Sequence, residues 1–327
     1  MKILRPSLVL GAVIIVLLGL SMRGGAQTAG DGEGLRVVVT SKPIHSLVAD
    51  VMKGGGTPAL LVEGTASPHT YAMRPSDAQK VNRADVFFRV SEALEPFTGR
   101  VVKSLPRSVV VSTLADAPQV KRLDRRVGGP FEEKAGGKGG KGHSHRDHDH
   151  GSGGAYDPHV WLDPGNAKAM TRTIAEILGK ARPDLAAQFT QNANRLMVRI
   201  DQMATAISAE LAPVADKPFI VLHDAYQYFE KRFGLNAIGS IMIDPDERPS
   251  AKRISDLRRR LSEFPNVCVF SEPNHQQKIV ETVVEGTRSR MAVLDPEGTL
   301  IEAGPQLYVL LMERLANGMK GCLSREG

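Results

Sequence analysis

The chain has 327 residues, 42% of them apolar and 24% charged, a balance that suits globular domains and excludes a disordered or fibrous chain. The formal charge is +6, but Lys2, Arg5 and Arg23 supply three of those charges near the N-terminus, and no basic cluster is interleaved with aromatics, so nucleic acid is not an expected partner. This length allows two domains of ordinary size.

Residues 1–26 read as a cleavable signal peptide. Two cations precede an apolar run over 8–20, which is too short to span a bilayer, and the small residues Gly24, Gly25 and Ala26 precede Gln27. The mature chain is therefore expected in the periplasm. No cysteine lies near the cleavage point, so lipid attachment there is excluded.

The predicted elements then alternate. A strand over 35–40 leads to a helix over about 43–53 with Pro43 in its first turn, and strands follow at 59–62, 85–90 and 108–111. Helices at 76–83, with Ser76 as N-cap, and at 94–105 lie between them. Strand, helix, strand in this rhythm predicts βαβ units and a parallel sheet. From 126 to 156 the pattern gives way to Gly-rich stretches around HSHRDHDH, which cannot bury a core and predict a loop at about 133–155. A helix is expected over 166–180, then a longer one from 184. There Leu185, Phe189, Leu196, Ile200, Met203, Ile207 and Leu211 recur at steps of three, four and seven, forming one stripe. At 1.5 Å per residue that helix is roughly 42 Å long, enough to run the height of two domains. A second βα series follows, with strands at 219–222, 237–243, 267–270 and 291–294 and Asp224 as N-cap of a helix over 225–233. The expected fold is α/β: two lobes of mostly parallel sheet, 27–183 and 213–327, joined by one rigid helix over 184–212.

Nine histidines fall into three groups. His69, His159 and His223 lie where parallel sheets present ligands, outside the carboxyl ends of strands, and Asp295 holds the same place after the last strand. Three imidazoles and a carboxylate, two groups from each lobe, suit four-coordinate Zn²⁺. Spacings of 90 and 64 residues form no local metal motif, so the pattern alone leaves ordinary structural histidines open. His143, His145, His148 and His150 alternate with Asp147 and Asp149 and predict a second, weaker zinc-binding segment in the loop. His45 and His275 are expected to pack or face solvent. The two cysteines, Cys268 and Cys322, are expected to pair in an exported protein, the alternative being two separate buried thiols.

The stretches GTASPHTYAMRPSDAQKVNRAD, HVWLDP, FIVLHDAYQYFEKRFGL, CVFSEP and RMAVLDPEGT resemble the ZnuA family, the periplasmic zinc-binding components of bacterial ABC importers. The resemblance implies zinc as cargo, an ABC-type permease in the inner membrane as partner, and His69, His159 and His223 as ligands; the chain is expected to act as a monomer. It also implies a disulfide between Cys268 and Cys322. Manganese-binding relatives carry an acidic residue where this chain has His223, and imidazole in its place shifts preference toward zinc. Some zinc members have an acidic residue just before the first ligand, where this chain has Pro68; the fourth ligand is therefore Asp295 or a water molecule, with Asp295 favoured. Glu272 either supports a ligand or caps a helix. A manganese or iron receptor, a surface adhesin and a zinc hydrolase are the competing functions. The hydrolase finds no HExxH or GxSxG motif, so no enzyme activity is expected.

Overall fold

Among the described residues, eight strands build two four-stranded sheets, and every ladder in both is parallel. The structure, a computed structural model, describes residues 1, 34–126, 131, 156–243, 248–264, 266–273 and 277–325. The expected signal peptide, the loop at 133–155 with its four histidines, and His275 lie outside the described residues. Among those described, no helix is long and apolar enough to cross a membrane.

The first sheet has the order β2-β1-β3-β4, from β1 (Val37–Val39), β2 (Ala59–Leu60), β3 (Val86–Arg89) and β4 (Val110–Thr113). Helices α1 (Lys42–Val51), α2 (Pro75–Asn82) and α3 (Thr98–Ser104) make its crossovers. The second sheet repeats the plan as β6-β5-β7-β8, from β5 (Pro218–His223), β6 (Asn236–Met242), β7 (Cys268–Ser271) and β8 (Arg290–Val293). Its helices are α6 (Gln227–Phe233), α7 (Ala251–Ser262), α8 (Gln277–Val284) and the last, α9 (Leu307–Leu323). The near-continuous apolar strands fit sheets covered on both faces.

Between the sheets run α4 (Pro164–Ala181) and α5 (Ala186–Leu211), separated by a 3₁₀ turn over Pro183–Leu185. The apolar stripe of α5 is buried as its spacing predicts, from Phe189 through Leu196, Ile200, Met203 and Ile207 to Leu211. One polar residue interrupts it. Asn192 donates from Nδ2 to the carbonyls of Val51 and Lys53, satisfying acceptors left over at the end of α1. A single apolar cluster takes in β1, α1, α4, α5, β5 and α9, so the inward faces of both sheets share one core, and two smaller clusters cover the outer faces.

Two expected helix starts differ. At α2 the N-cap position is Arg74, with Pro75 in the first turn and Asp77 reaching back to the Arg74 N–H, so Ser76 is already helical. Asp224 caps no helix: Arg126 takes its carboxylate, and α6 begins only at Gln227 after Tyr226. In both places a neighbouring residue outcompetes a good intrinsic cap. Cys268 on β7 and Cys322 on α9 form a disulfide with a Cα–Cα distance of 6.1 Å.

Candidate metal centre

Three segments meet where β5 ends. His223 is the last residue of β5, His159 sits just before a 3₁₀ turn over Val160–Leu162, and His69 lies in a turn of the irregular stretch between β2 and α2. The Nε2 atoms of His69 and His159 are 3.2 Å apart, and those of His223 and His159 are 3.3 Å apart. Ring centroids are separated by 5.2–5.9 Å. Donors at Zn–N distances of 2.0–2.1 Å around a tetrahedral ion stand about 3.3–3.4 Å apart, so the two pairs that include His159 are already near the spacing that zinc imposes, and all three ligand atoms lie within 4.8 Å of one another. Among the described residues, this trio is the one group of His, Cys, Asp or Glu close enough to hold a metal ion.

What stands behind the rings fixes which nitrogen faces inward. The Asp157 carboxylate accepts from His159 Nδ1 at 2.7 Å and from its backbone N–H at 3.0 Å. Glu272 accepts from His223 Nδ1 at 2.8 Å and from the Tyr226 hydroxyl at 3.1 Å. With each Nδ1 donating outward, both Nε2 lone pairs point into one buried space, an arrangement that calls for a cation or a proton between them. His159 and His223 are 3% and 1% exposed, whereas His69 is half-buried, so the site is dry on two sides and open on the third.

The electrostatics divide the rings. Burial and the neighbouring His223 push His159 down to about 3, so it is neutral at any ordinary pH. Burial works most strongly against charge on His223, but the charge and hydrogen bond of Glu272, together with Glu297 and Asp224, raise His223 above its usual value. Asp157, nearly enclosed, is pushed up to about 7 by burial. Glu297, enclosed beside Glu272 and accepting from Ser67 Oγ at 3.2 Å, is pushed up to about 8, chiefly by burial.

Of the other residues singled out from the sequence, Glu272 takes the role beside an imidazole rather than that of a cap. His45 is buried in α1 and bonds the Pro58 carbonyl through Nε2, apart from the trio. Asp295 is not brought into the group: Oδ1 accepts from the Thr299 N–H at 3.0 Å, and Oδ2 accepts from the Leu300 N–H at 2.9 Å and Thr299 Oγ1 at 3.2 Å. Both oxygens of this short acidic side chain are engaged by the turn that follows it, and Asp295 does not join the close group of ligand atoms. Asp157 and Glu297 are the residues that sequence reasoning missed. For Asp157 the signal was present, an acid two residues before a histidine in YDPH; Glu297, in DPEGT, reads as an ordinary surface turn.

The family model for "Zinc-uptake complex component A periplasmic", ZnuA, matches residues 37–322. The High-affinity zinc uptake system protein ZnuA of Brucella suis biovar 1 (strain 1330) is 43% identical over 332 residues, covering 92% of this chain and 95% of the relative. The Yersinia pestis protein of the same name is 31% identical over 293 residues, covering 88% and 91%. The structure is also similar to that of the periplasmic zinc binding protein TroA from Treponema pallidum, with a TM-score of 0.72 at 21% identity, covering 88% of this chain and 99% of the other. The chain belongs to the ZnuA family of periplasmic zinc-uptake components.

Proposed function

We propose that this chain is the receptor of a zinc importer: exported by residues 1–26, it captures Zn²⁺ between its two sheets in the periplasm and delivers it to an ABC-type permease. The ligands are His69, His159 and His223. The observation that carries this reading is the convergence of three imidazoles, with the Nε2 of His159 at zinc spacing from those of His69 and His223 and two of the rings backed by buried carboxylates. An all-imidazole set favours zinc over manganese or iron, which prefer oxygen. Zinc is cargo here, and no reaction is assigned to the site.

Calorimetry on the mature, untagged chain tests this directly. One tight zinc is expected per chain, and His223→Ala should weaken it about tenfold or more with the fold intact, as for loss of a ligand. Unchanged affinity removes His223 from the set.

A second, weaker zinc function is proposed for His143, His145, His148 and His150 on the strength of their density in the sequence. A segment that must order itself to bind loses affinity to that ordering. Deleting 133–155 should therefore abolish weak zinc and spare the tight site; equal stoichiometry in both forms sinks the assignment.

A further inference from the structure

Lys42 opens α1 in the first lobe, and only 8% of it is exposed. Among the described residues its ammonium forms no salt bridge with a carboxylate. Instead Nζ donates to the carbonyls of Thr299 at 2.7 Å, Ile301 at 3.0 Å and Gly298 at 3.5 Å, all on the loop after β8 in the second lobe. An ammonium has three donors, and this loop takes all of them. Trp161 Nε1, also from the first lobe, holds the same loop through the Pro296 carbonyl at 3.0 Å. Gly298 turns the chain at φ +67°, where a side chain would be strained.

The carbonyls held by Lys42 belong to the same peptide groups that hold Asp295. In the unit joining residues 298 and 299, the Gly298 carbonyl accepts from Lys42 and the Thr299 N–H donates to Asp295. In the unit joining 299 and 300, the Thr299 carbonyl accepts from Lys42 and the Leu300 N–H donates to Asp295. A peptide group is planar, so fixing its carbonyl aims its N–H. A cation at one end and an anion at the other also polarise the amide between them, strengthening both bonds.

We infer that Lys42 is a specificity-determining residue: acting through two peptide planes, it holds Asp295 on its own loop and so keeps a hard oxygen ligand off the metal. An imidazole-only site selects zinc, whereas an added carboxylate moves the preference toward manganese. Without Lys42 both planes lose their charged anchor, Asp295 becomes available to the ion, and the centre gains negative charge. Both changes act in one direction.

The test is the relative affinity for Mn²⁺ and Zn²⁺, measured by competition calorimetry on the full mature chain. With Lys42 in place, Asp295→Asn should alter zinc affinity by less than about threefold, since that carboxylate does not touch the ion. Lys42→Met should raise manganese affinity relative to zinc by about tenfold or more, and adding Asp295→Asn should restore the original ratio. A destabilised loop alone would not give a shift that a second substitution reverses. The inference is overturned by a threefold or larger effect of Asp295→Asn on zinc alone, by an unchanged ratio in folded Lys42→Met protein, or by a shift that survives in the double variant. If Lys42→Met does not fold, Lys42→Gln, which keeps a donor for the loop but not the charge, takes its place with the same two outcomes. The inference rests on the zinc-receptor reading, whose own failure is distinct: the unmodified chain would then show no tight zinc at all.

Discussion

His159 and His223 face one another across 3.3 Å yet take up protons at very different pH. Both are enclosed; what separates them is the acid behind each ring. Glu272 raises His223, while Asp157, itself pushed up to about 7, leaves burial and the neighbouring His223 to hold His159 down at about 3. Only neutral imidazole binds a metal, so before zinc arrives a proton on His223 competes for the site. Because His223 is raised above its usual value, that competition begins at a higher pH than for an ordinary histidine. Below that range His223 should cost about tenfold in zinc affinity for each pH unit. Glu272→Gln removes the charge that raises His223, so the fall should move to lower pH, checked by zinc titrations across a pH series; superimposable curves would remove Glu272 from control of the site. The trio was legible in the sequence through the family resemblance, since positions 69, 159 and 223 carry no spacing that brings them together. Asp157 and Glu297 were not legible, because a carboxylate acquires its role only when the fold encloses it.

At the scale of elements, strand positions were legible to within one or two residues, because runs such as 219–222 and 267–270 are apolar, short and bounded by turns. Helix starts were less so, and Asp224 shows why. Its preference for an N-cap is worth about 1 kcal/mol. Arg126, from the other side of the chain, binds both Asp224 and Glu230, the latter at 2.7 Å, in partly buried ion pairs that sequence-local reasoning does not contain. The disulfide ties elements in a way the sequence does suggest. It joins β7, in the middle of the second sheet, to the last helix, across a separation of 54 residues. Closing a loop of that size restricts the unfolded chain by about 4 kcal/mol in the chain-entropy model. Replacing both cysteines by serine should lower unfolding stability by about that amount in denaturant titrations. Zinc should still stabilise the variant, since neither sulfur lies in the group of three histidines; loss of zinc binding in a folded variant would show that the bond also shapes the site.

For the whole molecule the question is how far the lobes move when metal leaves. The sequence pointed to a long joining helix, and α5 supplies it, but it could not show that both sheets press on the same apolar cluster along that helix. Polar ties across the lobes add to this. The Tyr308 N–H donates to Ser46 Oγ at 2.9 Å, its hydroxyl donates to the Trp161 carbonyl at 2.8 Å, and Lys42 grips the loop after β8. Wide hinge opening would expose that shared core at about 25 cal/mol for each Å² of apolar surface, so a gap of a few hundred Å² would cost several kcal/mol. His69, by contrast, is half-buried and sits on a segment with little regular structure, so its departure uncovers far less. Metal exchange should therefore proceed by movement of the His69 segment over a nearly fixed frame. Solution scattering of zinc-free and zinc-loaded protein should give superimposable profiles, while hydrogen exchange should rise around 63–74 in the zinc-free form. A clear expansion in scattering on zinc removal would show that the lobes part, and would put the shared core on the moving side of the mechanism.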